Sequence, residues 1–177
     1  KGSYDASVAI RIGKMLQKHH IDLFEQPVPT DWYEDWKLTA DALEIPIASG
    51  GGEVSLRNFR WLIGNDAIQM VQQDLFYFGG MIRSMKVARM AATKGYPCVP
   101  HISGTGLGYI YMMQFVSAVP NAGTYHEFKG LSTEVPFECK TSSLKPEGGI
   151  LHLPTGVGSG VEIDPFFIAK HKVLEAA

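Results

Sequence analysis

The sequence predicts an α/β fold built on a parallel sheet, and two observations support this prediction. Short apolar runs rich in β-branched and aromatic residues alternate with segments whose apolar residues recur at helical spacing. The ends of the apolar runs are about two dozen residues apart, a spacing typical of repeated strand–helix units. Ionisable residues follow several of these runs, and in such folds the carboxyl edge of the sheet carries the functional site.

Composition excludes several classes of function. The 177 residues can form one domain with a sizeable core, and the 45% apolar and 19% charged residues are typical of a globular protein. The net charge of -2 provides no basic surface, so we expect neither nucleic acid nor a membrane as a partner. Cys98 and Cys139 form no metal or redox motif, which fits a reducing, cytoplasmic setting.

Helices and strands alternate through the first half of the predicted fold. Strands are predicted at residues 21–24, 45–48 and 67–71, where short apolar runs end in polar or Gly-rich segments. The helix before the first strand can begin at Asp5 or Ser7. The next is predicted at a capping box formed by Asp31 and Glu34, and the third after the N-cap Ser55.

The same alternation continues to about residue 127 and then stops. A helix is predicted after Gly80, strands at residues 96–99 and 123–127, and a helix at residues 107–119 that Pro120 ends. From Phe128 onward prolines and glycines become frequent, which predicts a loop-rich tail. This tail is predicted to contain a short strand at residues 150–153 and a last helix after Asp164.

Four ionisable residues follow predicted strands, namely Glu25, Asp74, His101 and Glu127. In a parallel sheet or barrel all of them would lie along one edge. A His beside an Asp is a usable general base, because the carboxylate orients the ring and raises its basicity. A carboxylate such as Glu25 can bind a hard divalent cation. Taken one at a time, each residue could instead be an ordinary polar group beside a turn.

The ordered motifs FEQP, QQD, PH and HEF resemble the enolase superfamily, specifically its mandelate racemase subgroup and the acid-sugar dehydratases. The resemblance covers essentially the whole chain and implies the C-terminal part of a (β/α)7β TIM-like barrel. Residues 1–130 would form the barrel portion, from about its third helix to its eighth strand. Residues 131–177 would form a tail that returns towards an N-terminal capping domain. Since that domain and the first strands would precede Lys1, the chain alone is expected to be inactive.

The resemblance also implies roles for individual residues. Glu25 matches a carboxylate ligand of Mg²⁺, and Asp74 with His101 matches the family's acid–base dyad. Glu127 matches the Glu that hydrogen-bonds the carboxylate of the intermediate. An α-proton beside a carboxylate is too weakly acidic for His alone, so abstraction needs metal and hydrogen-bond stabilisation of the ene-diolate.

One position departs from the family pattern. The next carboxylate ligand would fall on Gly51, and the nearest carboxylate, Glu53, comes two residues later. Either this ligand is lost, or the glycine-rich loop lets Glu53 replace it as a metal ligand. If it is lost, Gly51→Glu should tighten Mg²⁺ binding.

The predicted function is therefore Mg²⁺-assisted removal of the α-proton of a sugar acid, followed by β-elimination of water. A racemase or epimerase with the same dyad is an alternative that needs a second base. A barrel that only binds a ligand or a partner is another, favoured by Gly51. The expected partner is a small sugar acid, and the full-length protein is expected to be a cytoplasmic homo-oligomer.

Overall fold

The computed structural model describes residues 2–130 and 135–171, and their helices and strands form an α/β fold. The chain divides into two compact units. The first comprises Lys1–Ser103 and Ala118–Glu127, and the second comprises Gly104–Ser117 and Phe128–Ala177. The return of residues 131–177 towards a capping domain stays a prediction.

A parallel sheet forms the centre of the first unit. Strands β1 (Phe24–Glu25), β2 (Ile47–Ser49) and β3 (Met70–Val71) lie in the order β1-β2-β3. Single parallel bridges then link Val71 to Cys98 and Cys98 to Ala122. The sheet is parallel, as predicted, but its paired segments are shorter than predicted. At the bridge to Cys98, Val71 donates to the carbonyl of Pro97 and accepts from the amide of Val99. Pro97 has no N–H to donate, which stops this pairing from extending towards the start of segment 96–99.

Four helices belong to the first unit, and side chains cap the first and the third of them. They are α1 (Ala6–Gln17), α2 (Tyr33–Ala42), α3 (Leu56–Gly64) and α4 (Met81–Ala92). Asp5 accepts a hydrogen bond from the amide of Val8, and Ser55 accepts one from the amide of Asn58, as the sequence predicts.

The predicted capping box at Asp31 is wrong. Helix α2 begins later, after Trp32, whose side chain makes no capping hydrogen bond. The indole Nε1 of Trp36 instead donates to the carbonyl of Pro29 at 2.9 Å. This contact joins the first turn of the helix to the loop that follows β1.

Buried side chains from the sheet and helices fix the strand ends. Ile47, Ala48 and Val71 are fully buried. Phe59 of α3 packs edge to face on Phe78, with ring centroids 5.1 Å apart. Each large apolar side chain buried in this way contributes about 1.5–3 kcal/mol. The carboxyl edge of the sheet is therefore carried by a well-packed core.

The second unit contains most of α5 (Leu107–Ala118), the strands β4 (Phe137–Glu138) and β5 (Glu162–Ile163), and α6 (Pro165–Lys170). The strands pair antiparallel, and Asp164 caps α6 through the amide of Phe166. The strand predicted at residues 150–153 is wrong, because Ile150 only forms a single bridge with Glu147 across a glycine turn. Within the described residues, no helix has the length and apolar character to cross a membrane.

Candidate active site

The residues that sequence analysis places at strand ends follow the strands of the first unit. Glu25 is the last residue of β1, and Asp74 follows β3. His101 follows the bridging residue Cys98, and Glu127 follows the bridging residue Ala122. Because these strands run parallel, their ends lie along one edge of the sheet.

The carboxylate of Asp74 accepts four hydrogen bonds. Its side chain is fully buried, and Oδ1 accepts from the amides of Phe76 at 2.8 Å and Tyr77 at 3.2 Å. Oδ2 accepts from Nδ1 of His101 at 2.9 Å and from the hydroxyl of Ser103. Burial acts to raise the pKa of Asp74, but hydrogen bonds from Ser103, His101 and the two amides outweigh it and lower the pKa. The group is therefore ionised at neutral pH.

The ionised Asp74 determines which nitrogen of His101 is basic. A carboxylate can only accept hydrogen bonds, so Nδ1 of His101 carries the proton in this pair. Nε2 then has the lone pair and is the nitrogen that can take a proton from a substrate. The side chain of His101 is 14% exposed, so the ring is mostly enclosed but part of it remains accessible.

Backbone contacts hold the segment from His101 to Ser103. The amide of His101 donates to the carbonyl of Gln72 at 3.3 Å. The amide of Ile102 donates to Oε2 of Glu127 at 3.1 Å. Hydrogen bonds thus connect Asp74 to the side chain of His101 and Glu127 to the backbone amide that follows it. Contact of Glu127 with the carboxylate of an intermediate stays a prediction.

Glu25 is half-buried at the end of β1. Its Oε2 accepts a hydrogen bond from Nε2 of Gln72 at 3.3 Å, across the sheet from a residue 47 positions later. The backbone amide of Gln72 donates to the carbonyl of Ser49, so Gln72 is held at the same edge. The carboxylate of Glu25 is therefore oriented by the side chain of Gln72, which the sheet holds in place.

Glu53 has a different environment. It is 3% exposed, and its Oε1 accepts from the amide of Ser55 at 2.7 Å. The side-chain nitrogen of Asn58 lies 3.2 Å from Oε1 and 3.1 Å from Oε2. Both carboxylate oxygens therefore accept hydrogen bonds from groups at the start of α3. Ligation of a metal by Glu53 stays a prediction, and it would have to compete with these contacts.

The described residues fit a magnesium site only in part. Glu25 offers a carboxylate at the sheet edge, whereas Gly51 has no side chain and Glu53 is bonded to α3. Among residues 2–130 and 135–171, no group of three or more His, Cys, Asp or Glu side chains is arranged to bind a metal ion. The carboxylates of this part of the chain therefore do not complete a site by themselves.

Sequence analysis missed the residues that orient the candidate site. Ser103 bonds Asp74, Gln72 bonds Glu25, and Asn58 bonds Glu53. Gln72 is the first residue of the QQD motif and Ser103 lies two residues after His101, so position in or near the motifs was the available signal. The pairing of Asn58 with Glu53 had no such signal, because it depends on the path of the loop before α3.

Comparison with known proteins identifies related chains. The family model described as "Enolase C-terminal domain-like" matches residues 1–166. An arabinonate dehydratase of Saccharolobus solfataricus is 28% identical over 90% of this chain and 42% of its own length. A D-galactarolactone cycloisomerase of Agrobacterium fabrum is 28% identical over 91% of this chain and 44% of its own length. The chain therefore spans less than half the length of these relatives.

Solved structures confirm the predicted fold. A protein of Roseobacter denitrificans, provisionally described as a racemase, superimposes with a TM-score of 0.83 and 31% identity, over 96% of this chain and 47% of its own. A mandelate racemase/muconate lactonizing enzyme-like protein of Roseovarius sp. TM1035 gives a TM-score of 0.79 at 22% identity, over 100% of this chain and 46% of its own. At that identity the second match shows the fold alone.

Proposed function

Because the chain belongs to the Enolase C-terminal domain-like family, we propose that its full-length protein removes the α-proton of a sugar acid and then eliminates water. The observation that carries this proposal is the hydrogen bond between Nδ1 of His101 and the buried carboxylate of Asp74. Relatives named as arabinonate and D-xylonate dehydratases support the choice of a hydro-lyase.

The chemistry assigned to the dyad follows from its tautomer. Nε2 of His101 takes the α-proton, and the electron pair of the C–H bond passes into an ene-diolate of the substrate carboxylate. Asp74 stabilises the imidazolium that forms, since its carboxylate already accepts from Nδ1. The ene-diolate then expels the β-hydroxyl, which takes a proton from His101 and leaves as water. The enol left behind rearranges to a 2-keto-3-deoxy acid.

The ene-diolate needs positive charge or hydrogen-bond donors around its oxygens. We propose Mg²⁺ as the cofactor of the full-length protein, with Glu25 as the ligand from this part of the chain. When bound, such an ion would stabilise the negative charge on the substrate carboxylate, as in other members of this superfamily. We propose that Glu127 hydrogen-bonds the same carboxylate while it holds the amide of Ile102.

A racemase or epimerase is a second candidate, favoured by the 31% identity to the provisional racemase of Roseobacter denitrificans. It would use the same dyad to remove the α-proton and a second base to return a proton on the other face. A protein that only binds its ligand is the third candidate, favoured by the glycine at position 51. A cytoplasmic, homo-oligomeric enzyme stays a prediction from sequence.

Incubation of the full-length protein with Mg²⁺ and sugar acids in D₂O separates these candidates. Arabinonate, xylonate, galactonate and galactarate are suitable probes, with His101→Asn as the inactive control, and proton NMR follows both exchange and product. We expect a 2-keto-3-deoxy acid from at least one probe, and none from the control. Exchange at the α-carbon without loss of water would instead indicate a racemase. Binding with neither exchange nor product would overturn the enzyme proposal.

A further inference from the structure

Gly51 lies directly against the ring of His101. A Cβ atom added to Gly51 would lie 2.9 Å from Cγ, 3.1 Å from Cδ2 and 3.2 Å from Cβ of His101. Carbon atoms pack best at about 3.5–4.0 Å, so no side chain fits between this backbone and the ring. Gly51 is itself buried, so the contact belongs to the interior of the first unit.

Backbone conformation does not explain the glycine at this position. The neighbouring Gly50 has φ of +136°, which side chains rarely adopt, and a Cβ there would lie 2.9 Å from the amide nitrogen of Gln73. Gly51 is not among the residues with positive φ, so its backbone would accept an L-residue. The ring of His101 is therefore what excludes a side chain from position 51.

The ring has little freedom to move away. Its Nδ1 is bonded to the buried Asp74, and its backbone amide is bonded to the carbonyl of Gln72. The next amide, that of Ile102, is bonded to Glu127. A side chain at position 51 would have to push the imidazole against these contacts, and the bond to Asp74 is the one that a rotation of the ring breaks.

We propose that Gly51 is a positioning residue for His101, and that its lack of a side chain keeps the imidazole bonded to Asp74. The proposal rests on the proposed function, in which His101 is the base. It also changes the expectation for Gly51→Glu. A carboxylate attached here would displace the ring, so it would not simply restore a metal ligand.

The test compares Gly51→Ala with Gly52→Ala in the metal-free full-length protein. Gly52 is a matched control in the same loop, since among the described residues a Cβ there would meet only Thr30 Oγ1 at 3.7 Å and Gln26 Nε2 at 3.8 Å. With ¹⁵N-labelled histidine, NMR nitrogen shifts report which ring nitrogen carries the proton. His101→Asn identifies the signals of His101.

We expect the Nδ1-protonated signals of His101 in the wild type and in Gly52→Ala, and their loss in Gly51→Ala. Wild-type signals in Gly51→Ala would overturn the proposal. These signals do not depend on turnover, so they still test the role of Gly51 if the protein does not catalyse the proposed reaction.

A second measurement covers the case in which Gly51→Ala does not fold. Combining it with His101→Ala removes the ring and, of the three nearest atoms, leaves the His101 Cβ position at 3.2 Å, a contact that a small shift relieves. We expect the Tm of the double variant to lie within about 2 °C of that of His101→Ala, because both substitutions act on the same contact. A double variant that also fails to fold would overturn the proposal.

Discussion

Replacing Glu53 distinguishes a helix cap from a metal ligand. The structure gives Glu53 three short contacts at the start of α3, with the amide of Ser55 at 2.7 Å and the side-chain nitrogen of Asn58 at 3.2 and 3.1 Å. Glu53→Ala removes the acceptor for both donors at a residue that is 3% exposed. We therefore expect a loss of stability even without metal.

The expected magnitude follows from the donors left without a partner. A buried donor that loses its acceptor costs about 1–3 kcal/mol. A carboxylate near a helix N-terminus contributes about a further 0.3–1 kcal/mol through the helix dipole. Since the vacated space admits water and Asn58 can turn towards it, these contributions are not fully additive. We expect the free energy of unfolding to fall by about 2–4 kcal/mol.

Urea unfolding followed by circular dichroism in EDTA measures this loss, because the chelator prevents metal binding from changing the apparent stability. Asn58→Ala should lose part of the same free energy, and the double variant should lose less than the sum of the two. Glu34→Ala, an exposed carboxylate on α2, should stay within about 0.5 kcal/mol of the wild type. Unchanged stability of Glu53→Ala in EDTA, together with weakened Mg²⁺ binding, would refute the capping role.

Other predictions concern the metal, the dyad and the thiols. Calorimetric titration of the full-length protein with Mg²⁺ should show a larger loss of affinity for Glu25→Ala than for Glu53→Ala; equal losses would make both residues ligands. Asp74→Asn should lower kcat by about 10²–10⁴-fold on the substrate found, with unchanged kcat arguing against the dyad. Burial raises the pKa of Cys98 to about 12, whereas at Cys139 the effect of burial is outweighed by hydrogen bonds with Thr141 and Ser142, which together lower the pKa. A thiol reagent at pH 8 should thus modify Cys139 before Cys98, as mass spectrometry of digests would show; equal labelling of the folded protein would contradict this.

The positions of Glu25, Asp74, His101 and Glu127 at one edge could be predicted from sequence. Each follows a short apolar run, and parallel strands joined by helices place such ends together whatever the details of the loops. Local signals also sufficed for the caps at Asp5, Ser55 and Asp164, because an N-cap depends on residues within one turn.

The lengths of the strands were not predictable in the same way. Strands were predicted at residues 96–99 and 123–127, yet the bridges there involve only Cys98 of the first segment and Ala122, just before the second. A ladder requires a partner with free backbone groups at the right register, and this depends on residues far away in the chain. Propensity over a few residues does not contain that information.

The sequence by itself determined the fold class and the set of groups available for chemistry. Only the tertiary structure decided how the groups are used at Gly51 and Glu53. In the sequence, the absence of a carboxylate at position 51 and the presence of Glu53 two residues later suggest a metal ligand that has shifted along the chain. In space, Gly51 makes room for the ring of His101, and Glu53 binds the first turn of α3. Close packing sets these roles, because a side chain must fit the volume and the hydrogen-bond partners that distant segments leave it.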